Sequence, residues 1–110
     1  MNAVLVERLQ DRFHELFGVT DNKLFFAPGR VNLIGEHTDY NGGHVFPCAL
    51  SVGTYGIISP RSDERIRMYS LNLPDSGIVD ISLQELCPGR TKQWTQYPEG
   101  VFWELKRRGF

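Results

Sequence analysis

Within a short stretch the chain sets one guanidinium, two carboxylates, an imidazole and a hydroxyl: Arg30, Glu36, His37, Thr38 and Asp39. Ionised carboxylates only accept hydrogen bonds, arginine only donates, and a neutral imidazole does both. A sugar presents neighbouring hydroxyls that donate and accept at once. A carboxylate takes two vicinal hydroxyls in bidentate fashion, and bonds with one charged partner are the strong ones. Glu36 and Asp39 with His37 between them therefore suit a polyhydroxylated ligand. Arg30, set slightly apart, suits a developing oxyanion or a phosphate. Two other readings use the same residues. The stretch could be a solvated loop, since charged side chains are mostly exposed. Or Glu36, His37 and Asp39, with His44, could hold zinc or manganese, although no metal-motif spacing is met.

Those side chains need a rigid support. Pro28-Gly29 and Asn41-Gly42-Gly43 are turn formers. Ala27 to Gly43 is accordingly expected to be neither regular helix nor strand. Val31, Leu33 and Ile34 are expected to point inward and anchor the backbone, so that the polar residues are displayed on a loop that is held still.

Gly29 to Gly43, which reads Gly-Arg-Val-Asn-Leu-Ile-Gly-Glu-His-Thr-Asp-Tyr-Asn-Gly-Gly, resembles the signature of galactokinases, within the GHMP kinase family. The resemblance runs over essentially the whole chain but only the first part of such an enzyme. It implies that Arg30, Glu36, His37, Thr38 and Asp39 bind the sugar, and that Arg30 lies beside the attacking oxygen, favouring an ionised base and offsetting transition-state charge. It puts Asp39 on sugar hydroxyls rather than at the reacting centre, against the alternative that Asp39 is itself the base. It implies that Trp94 stacks on adenine and that Ser70 contacts nucleotide, where a rim or core tryptophan and a solvated strand serine are the plainer readings. The implied activity is transfer of a phosphoryl group from ATP to the anomeric hydroxyl of galactose.

Phosphoryl transfer depends on positioning and on charge stabilisation of the phosphates. The chain has dispersed glycines and no glycine- and serine-rich run able to cradle phosphates at a helix N-terminus. By resemblance, that loop, the serine and glutamate that hold Mg2+, and the aspartate base are expected beyond Phe110. No metal ligands are expected in this chain. It is expected to be inactive alone and to pair with the missing C-terminal part of the kinase. Two alternatives stay open: a non-catalytic galactose sensor, and one half of a split kinase.

The fold class expected is α+β, an N-terminal helix, a mixed or antiparallel sheet and a C-terminal helix, with residues 1–110 an incomplete galactose-binding domain of the GHMP kinase N-terminal type. Hydrophobic content of 41% and a net charge of −1 are ordinary for a globular chain. They give no reason to expect nucleic acid or an anionic membrane as partner. No window reaches the about 20 apolar residues of a membrane span, and no signal peptide is apparent. Cys48 and Cys87, without a Cys-x-x-Cys motif, fit a reduced, cytoplasmic chain.

In order along the chain, apolar residues from Val4 to Phe17 recur at helical spacing. This predicts a helix over 3–17 with Asn2 as N-cap and Gly18 as terminator. Residues 23–27 read as a strand. Residues 44–60 are β-rich, interrupted by Pro47, and 65–71 read as the returning arm of a hairpin with them, followed by a third arm at 78–81. Residues 97–108 predict a second helix, with Pro98 in its first turn, basic residues in its last and Gly109 after it.

Overall fold

A computed structural model describes residues 2–90 and 92–110. The chain divides into two compact units, one ending at Pro60 and the other running from Arg61 to Phe110. Each contains one helix and one antiparallel strand pair, so the class is α+β as expected.

In the first unit, helix α1 spans Ala3–Phe17. The Asn2 side chain accepts the Leu5 N–H at 3.1 Å, satisfying one of the amides a helix start leaves unpaired. Gly18 ends the helix in a left-handed conformation, φ 63°, and donates its N–H to His14 O. The helix packs on strand β2, Phe46–Ile58, and the Asn2 N–H reaches the Tyr55 hydroxyl at 3.0 Å.

Strand β1, Lys23–Ile34, pairs antiparallel with β2. It is longer than expected: Pro28-Gly29 does not end it. The strand continues through both residues to Ile34, and the backbone becomes irregular only from Gly35 onward. Two register shifts make this possible. Opposite Gly29, β2 spends Leu50, Ser51 and Val52; opposite Phe46-Pro47, β1 inserts Leu33. Proline is tolerated in a strand at such bulges, where the ladder is already interrupted. Glycine is required where the backbones approach. A Cβ on Gly53 would lie 2.2 Å from Ala27 O, and one on Gly29 would lie 3.1 Å from Val52 O.

The expected anchors are not anchors here. Val31, Leu33 and Ile34 are exposed, Ile34 at 72%. A two-stranded ribbon with one helix against it has too few layers to cover both of its faces. No described residue up to Pro60 is buried.

In the second unit, β3, Arg65–Met68, pairs with β4, Val79–Ser82. The expected hairpin of 65–71 with the preceding β-rich stretch is therefore replaced. β2 has β1 as its partner, and β3 turns back through a 3-10 segment at Pro74–Ser76, with Gly77 at φ 60°. Asp80 accepts from Arg65 at 2.7 Å across this ladder. Ile81 and Leu86 are the buried hydrophobic residues of the described chain.

Helix α2 spans Gln96–Arg107 with Pro98 in its first turn. Its C-terminus is a Schellman closure: Gly109, at φ 86°, donates to Lys106 O, and the Phe110 N–H reaches back to Leu105 O at 3.0 Å. In the last turns Glu104 accepts from Arg107 and Arg108. The Arg107 bond, then the Arg108 bond, hold the Glu104 carboxyl below its ordinary value. A folded-state pKa below the unfolded one means that stability is fully present above the unfolded value. It is lost as pH falls through the folded value. Acid titration followed by far-UV circular dichroism should therefore show helix loss in that acidic window, and Glu104→Gln should remove that component. The pair is solvent-exposed, so the effect should be small and weaken further at high salt.

Candidate functional site

Arg30 and Asn32 alternate along β1 and face the same way, two residues apart. They sit between the two bulges, at Gly29 and Leu33. Their partners across the ladder are Ala49 and Pro47. The chain then leaves β1 at Gly35, whose φ of 97° favours glycine, and where a Cβ would lie 2.6 Å from His44 O and 2.9 Å from Val45 Cα. Only a glycine lets the departing strand pass this close to the returning one.

From Glu36 to Gly43 the backbone folds on itself. The Thr38 hydroxyl lies 2.7 Å from Gly35 O and 3.0 Å from His44 O, tying together the two ends of the excursion. The Gly43 N–H donates to Thr38 O at 2.6 Å, and a Cβ on Gly43 would lie 2.7 Å from Thr38 Cβ. Asp39–Asn41 form a single 3-10 turn closed by Gly42, φ 78°, whose N–H bonds Asp39 O. His37 is the one described non-glycine residue with positive φ, 58°. Its carbonyl accepts from Asn41 Nδ2 at 2.7 Å, and its Nδ1 is hydrogen-bonded to the Tyr40 hydroxyl.

The result is an open hollow of about 420 Å³ lined by Arg30, Asn32, Glu36, His37, Asp39, Tyr40, Val45 and Pro47. Four of the five residues read from the sequence as sugar ligands, Arg30, Glu36, His37 and Asp39, thus converge on one concavity. Thr38 is not among the lining residues; its hydroxyl is engaged with the backbone of the bend. Asn32 and Tyr40 are polar contributors not picked out from the sequence. Reading Pro28-Gly29 as a strand end hid the alternation that pairs Asn32 with Arg30. Chemically the hollow offers two carboxylate acceptors, a guanidinium donor, an amide, an imidazole and a phenol. Val45 and Pro47 form an apolar strip beside them, able to take the C–H face of a ring.

Ser70 and Trp94 belong to the second unit. Ser70 lies past the end of β3, not on it, and is half-buried; its carbonyl accepts the Leu73 N–H. Trp94 lies in the turn before α2, half-buried, and its indole N–H is buried without a hydrogen-bond partner among the described residues. The next residue, Thr95, is fully buried and donates to the buried Glu99 carboxylate at 2.7 Å. A negative charge in the first turn complements the helix dipole. Among the described residues no three His, Cys, Asp or Glu side chains come together as a metal ion would require. Cys48 and Cys87 are free and exposed. No helix is long and apolar enough to cross a membrane, among the described residues.

The chain is similar in sequence and in fold to known proteins. Residues 11–60 match the galactokinase galactose-binding signature. The chain is 52% identical to a galactokinase of Lactiplantibacillus plantarum over 101 residues, which is 92% of this chain and 26% of that protein. It is 50% identical to a galactokinase of Bacillus subtilis over 105 residues, 94% of this chain and 27% of the relative. The crystal structure of Lactococcus lactis galactokinase complexed with galactose superimposes with a TM-score of 0.88 at 41% identity, covering 96% of this chain and 28% of that one. The chain therefore spans about a quarter of the length of the relatives it matches.

Proposed function

We infer, for a chain that belongs to the galactokinase family, that the hollow between β1 and the bend receives galactose, and that the chain contributes the sugar-binding part of a kinase acting on its anomeric hydroxyl. The observation that carries this is the convergence of Arg30, Glu36, His37 and Asp39 on one concavity. Glu36 and Asp39 accept from neighbouring sugar hydroxyls, and charged acceptors make the stronger bonds. Arg30 stands at the strand side of the hollow, where a guanidinium would stabilise charge developing on the attacking oxygen. Thr38 serves from behind, by fixing the curvature of the bend that carries its two neighbours.

ATP is the phosphoryl donor in this reading, with Mg2+ neutralising its phosphates. Within the chain, the half-buried Trp94 with its unpartnered indole N–H, and Ser70, are the residues proposed to meet the nucleotide. The phosphate cradle, the Mg2+ ligands and the base are supplied by a further part of the kinase, which also covers the apolar ribbon. The domain is thus incomplete in these 110 residues, and its site of action is the cytoplasm, where thiols such as Cys48 and Cys87 stay reduced.

Titration calorimetry tests the sugar assignment. Galactose should bind weakly, at millimolar concentration. Asp39→Ala or Glu36→Ala should reduce binding by about tenfold or more, since each removes bonds to a charged acceptor. No heat at millimolar galactose overturns the assignment. With ATP and Mg2+ added, the chain alone should form no galactose 1-phosphate above background. Turnover should appear when a polypeptide carrying the other three quarters of a galactokinase is mixed in. Robust turnover by the chain alone would refute the division of labour.

A further inference from the structure

His37 is held in an unusual way. A left-handed backbone is unfavourable for a residue with a Cβ, and persists only where the surroundings over-determine it. Here three contacts do so. Asn41 Nδ2 donates to the His37 carbonyl at 2.7 Å. The Tyr40 hydroxyl is hydrogen-bonded to Nδ1. The Tyr40 ring meets the imidazole edge-on, with centroids 5.7 Å apart and planes at 77°. The first holds the peptide that follows His37, and the two made by Tyr40 fix the direction of the imidazole. With Nδ1 occupied, Nε2 is left as the ring atom without a partner among the described residues, on a side chain that lines the hollow.

We propose that Tyr40 is a positioning residue for the sugar site: its hydroxyl donates to His37 Nδ1, holds the imidazole as the Nε2–H tautomer, and so turns His37 into a hydrogen-bond donor toward a ligand hydroxyl oxygen. This rests on the reading of the hollow as a sugar site. The chemistry favours that tautomer. Glu36 and Asp39 accept only, so they use the protons of the sugar's hydroxyls, and the oxygens of those hydroxyls then need donors. A protonated Nε2 supplies one on the bend itself, complementing Arg30 on the strand. A tyrosine hydroxyl can lock a tautomer because the hydrogen bond made by one ring nitrogen decides the protonation of the other. Tyr40 need not touch the ligand to do this.

Two measurements decide it. The first needs no sugar: long-range 1H–15N correlation spectra of the histidine rings. Wild-type His37 should be a single Nε2–H tautomer at neutral pH, and Tyr40→Phe, which keeps the ring and removes only the hydroxyl, should give a mixture. A tautomer mixture in the wild type, or an unchanged spectrum in Tyr40→Phe, overturns the proposal. The second is a double-mutant cycle on galactose binding. Tyr40→Phe should weaken binding about five- to tenfold in the wild-type background, and have no effect in a His37→Ala background. An equal loss in both backgrounds would show that Tyr40 acts by itself and not through His37, which also overturns it. If the wild type binds no galactose, the sugar reading fails, while the tautomer spectra still decide whether Tyr40 sets the ring.

Discussion

Gly35→Ala should abolish detectable galactose binding while leaving both helices in place. At φ 97° any side chain is strained, by about 1–2 kcal/mol. The added Cβ would also meet His44 O at 2.6 Å and Val45 Cα at 2.9 Å, which are backbone atoms with nowhere to go. Relief requires the two ends of the excursion to part. Parting them breaks the link that Thr38 makes between Gly35 O and His44 O, and the bend carrying Glu36, His37 and Asp39 opens. Gly42→Ala is the control. Its φ of 78° carries the same kind of strain, but its Cβ would meet nothing within 4 Å. Calorimetry should show a loss of affinity for Gly42→Ala that is at least about tenfold smaller, as expected when only the strain is added. Equal losses at the two glycines would mean that the close approach at Gly35 does not shape the site.

The second large effect concerns the chain as a whole. Expressed alone, it should associate, and it should lack a sharp cooperative melt. Phe25, Phe26, Phe46, Val52 and Ile58 all lie exposed on the ribbon, Val52 at 68%. Full burial of such a side chain contributes about 1.5–3 kcal/mol, and the first unit collects little of that. Both outer edges of β1 and β2 are also unpaired within it, which invites edge-to-edge pairing. Sedimentation velocity at micromolar concentration should show oligomers, and calorimetry a broad transition. A monomer with a steep, reversible melt would refute this. Mixing in a polypeptide that carries the other three quarters of a galactokinase should suppress the association, because the proposed cover is then present.

Much of the fold and the site was legible in the sequence, and the reasons differ by element. Helix α1 was plain from end to end because its signals are local: an asparagine cap, helical apolar spacing and a terminal glycine. Helix α2 was legible to within one residue for the same reason. The strand pairing was legible only where it is local: the third arm, β4, pairs with the arm before it, β3, but the partner of β2 was not foreseen. Pairing is a contest between partners distant in sequence, and β2 found β1, not β3. The anchoring role given to Val31, Leu33 and Ile34 failed for a related reason. Residue type shows that a side chain is suited to burial, but not which layer covers it. The convergence of Arg30, Glu36, His37 and Asp39 was anticipated from their chemistry and from the resemblance. Asn32 and Tyr40 were not, since one needed the strand to run past a proline and the other needed the left-handed turn at His37.

The two bulges that flank Arg30 and Asn32 act as stops on a ratchet. A ribbon without them could slide by one residue, and every side chain on it would change sides. With Gly29 caught beneath Val52 and Leu33 looped out opposite Pro47, no sliding is open to this segment. The guanidinium and the amide therefore stay on the same wall of the hollow. The alignment of these two side chains thus rests on two irregularities of the ladder, and not on how deeply the ribbon is buried.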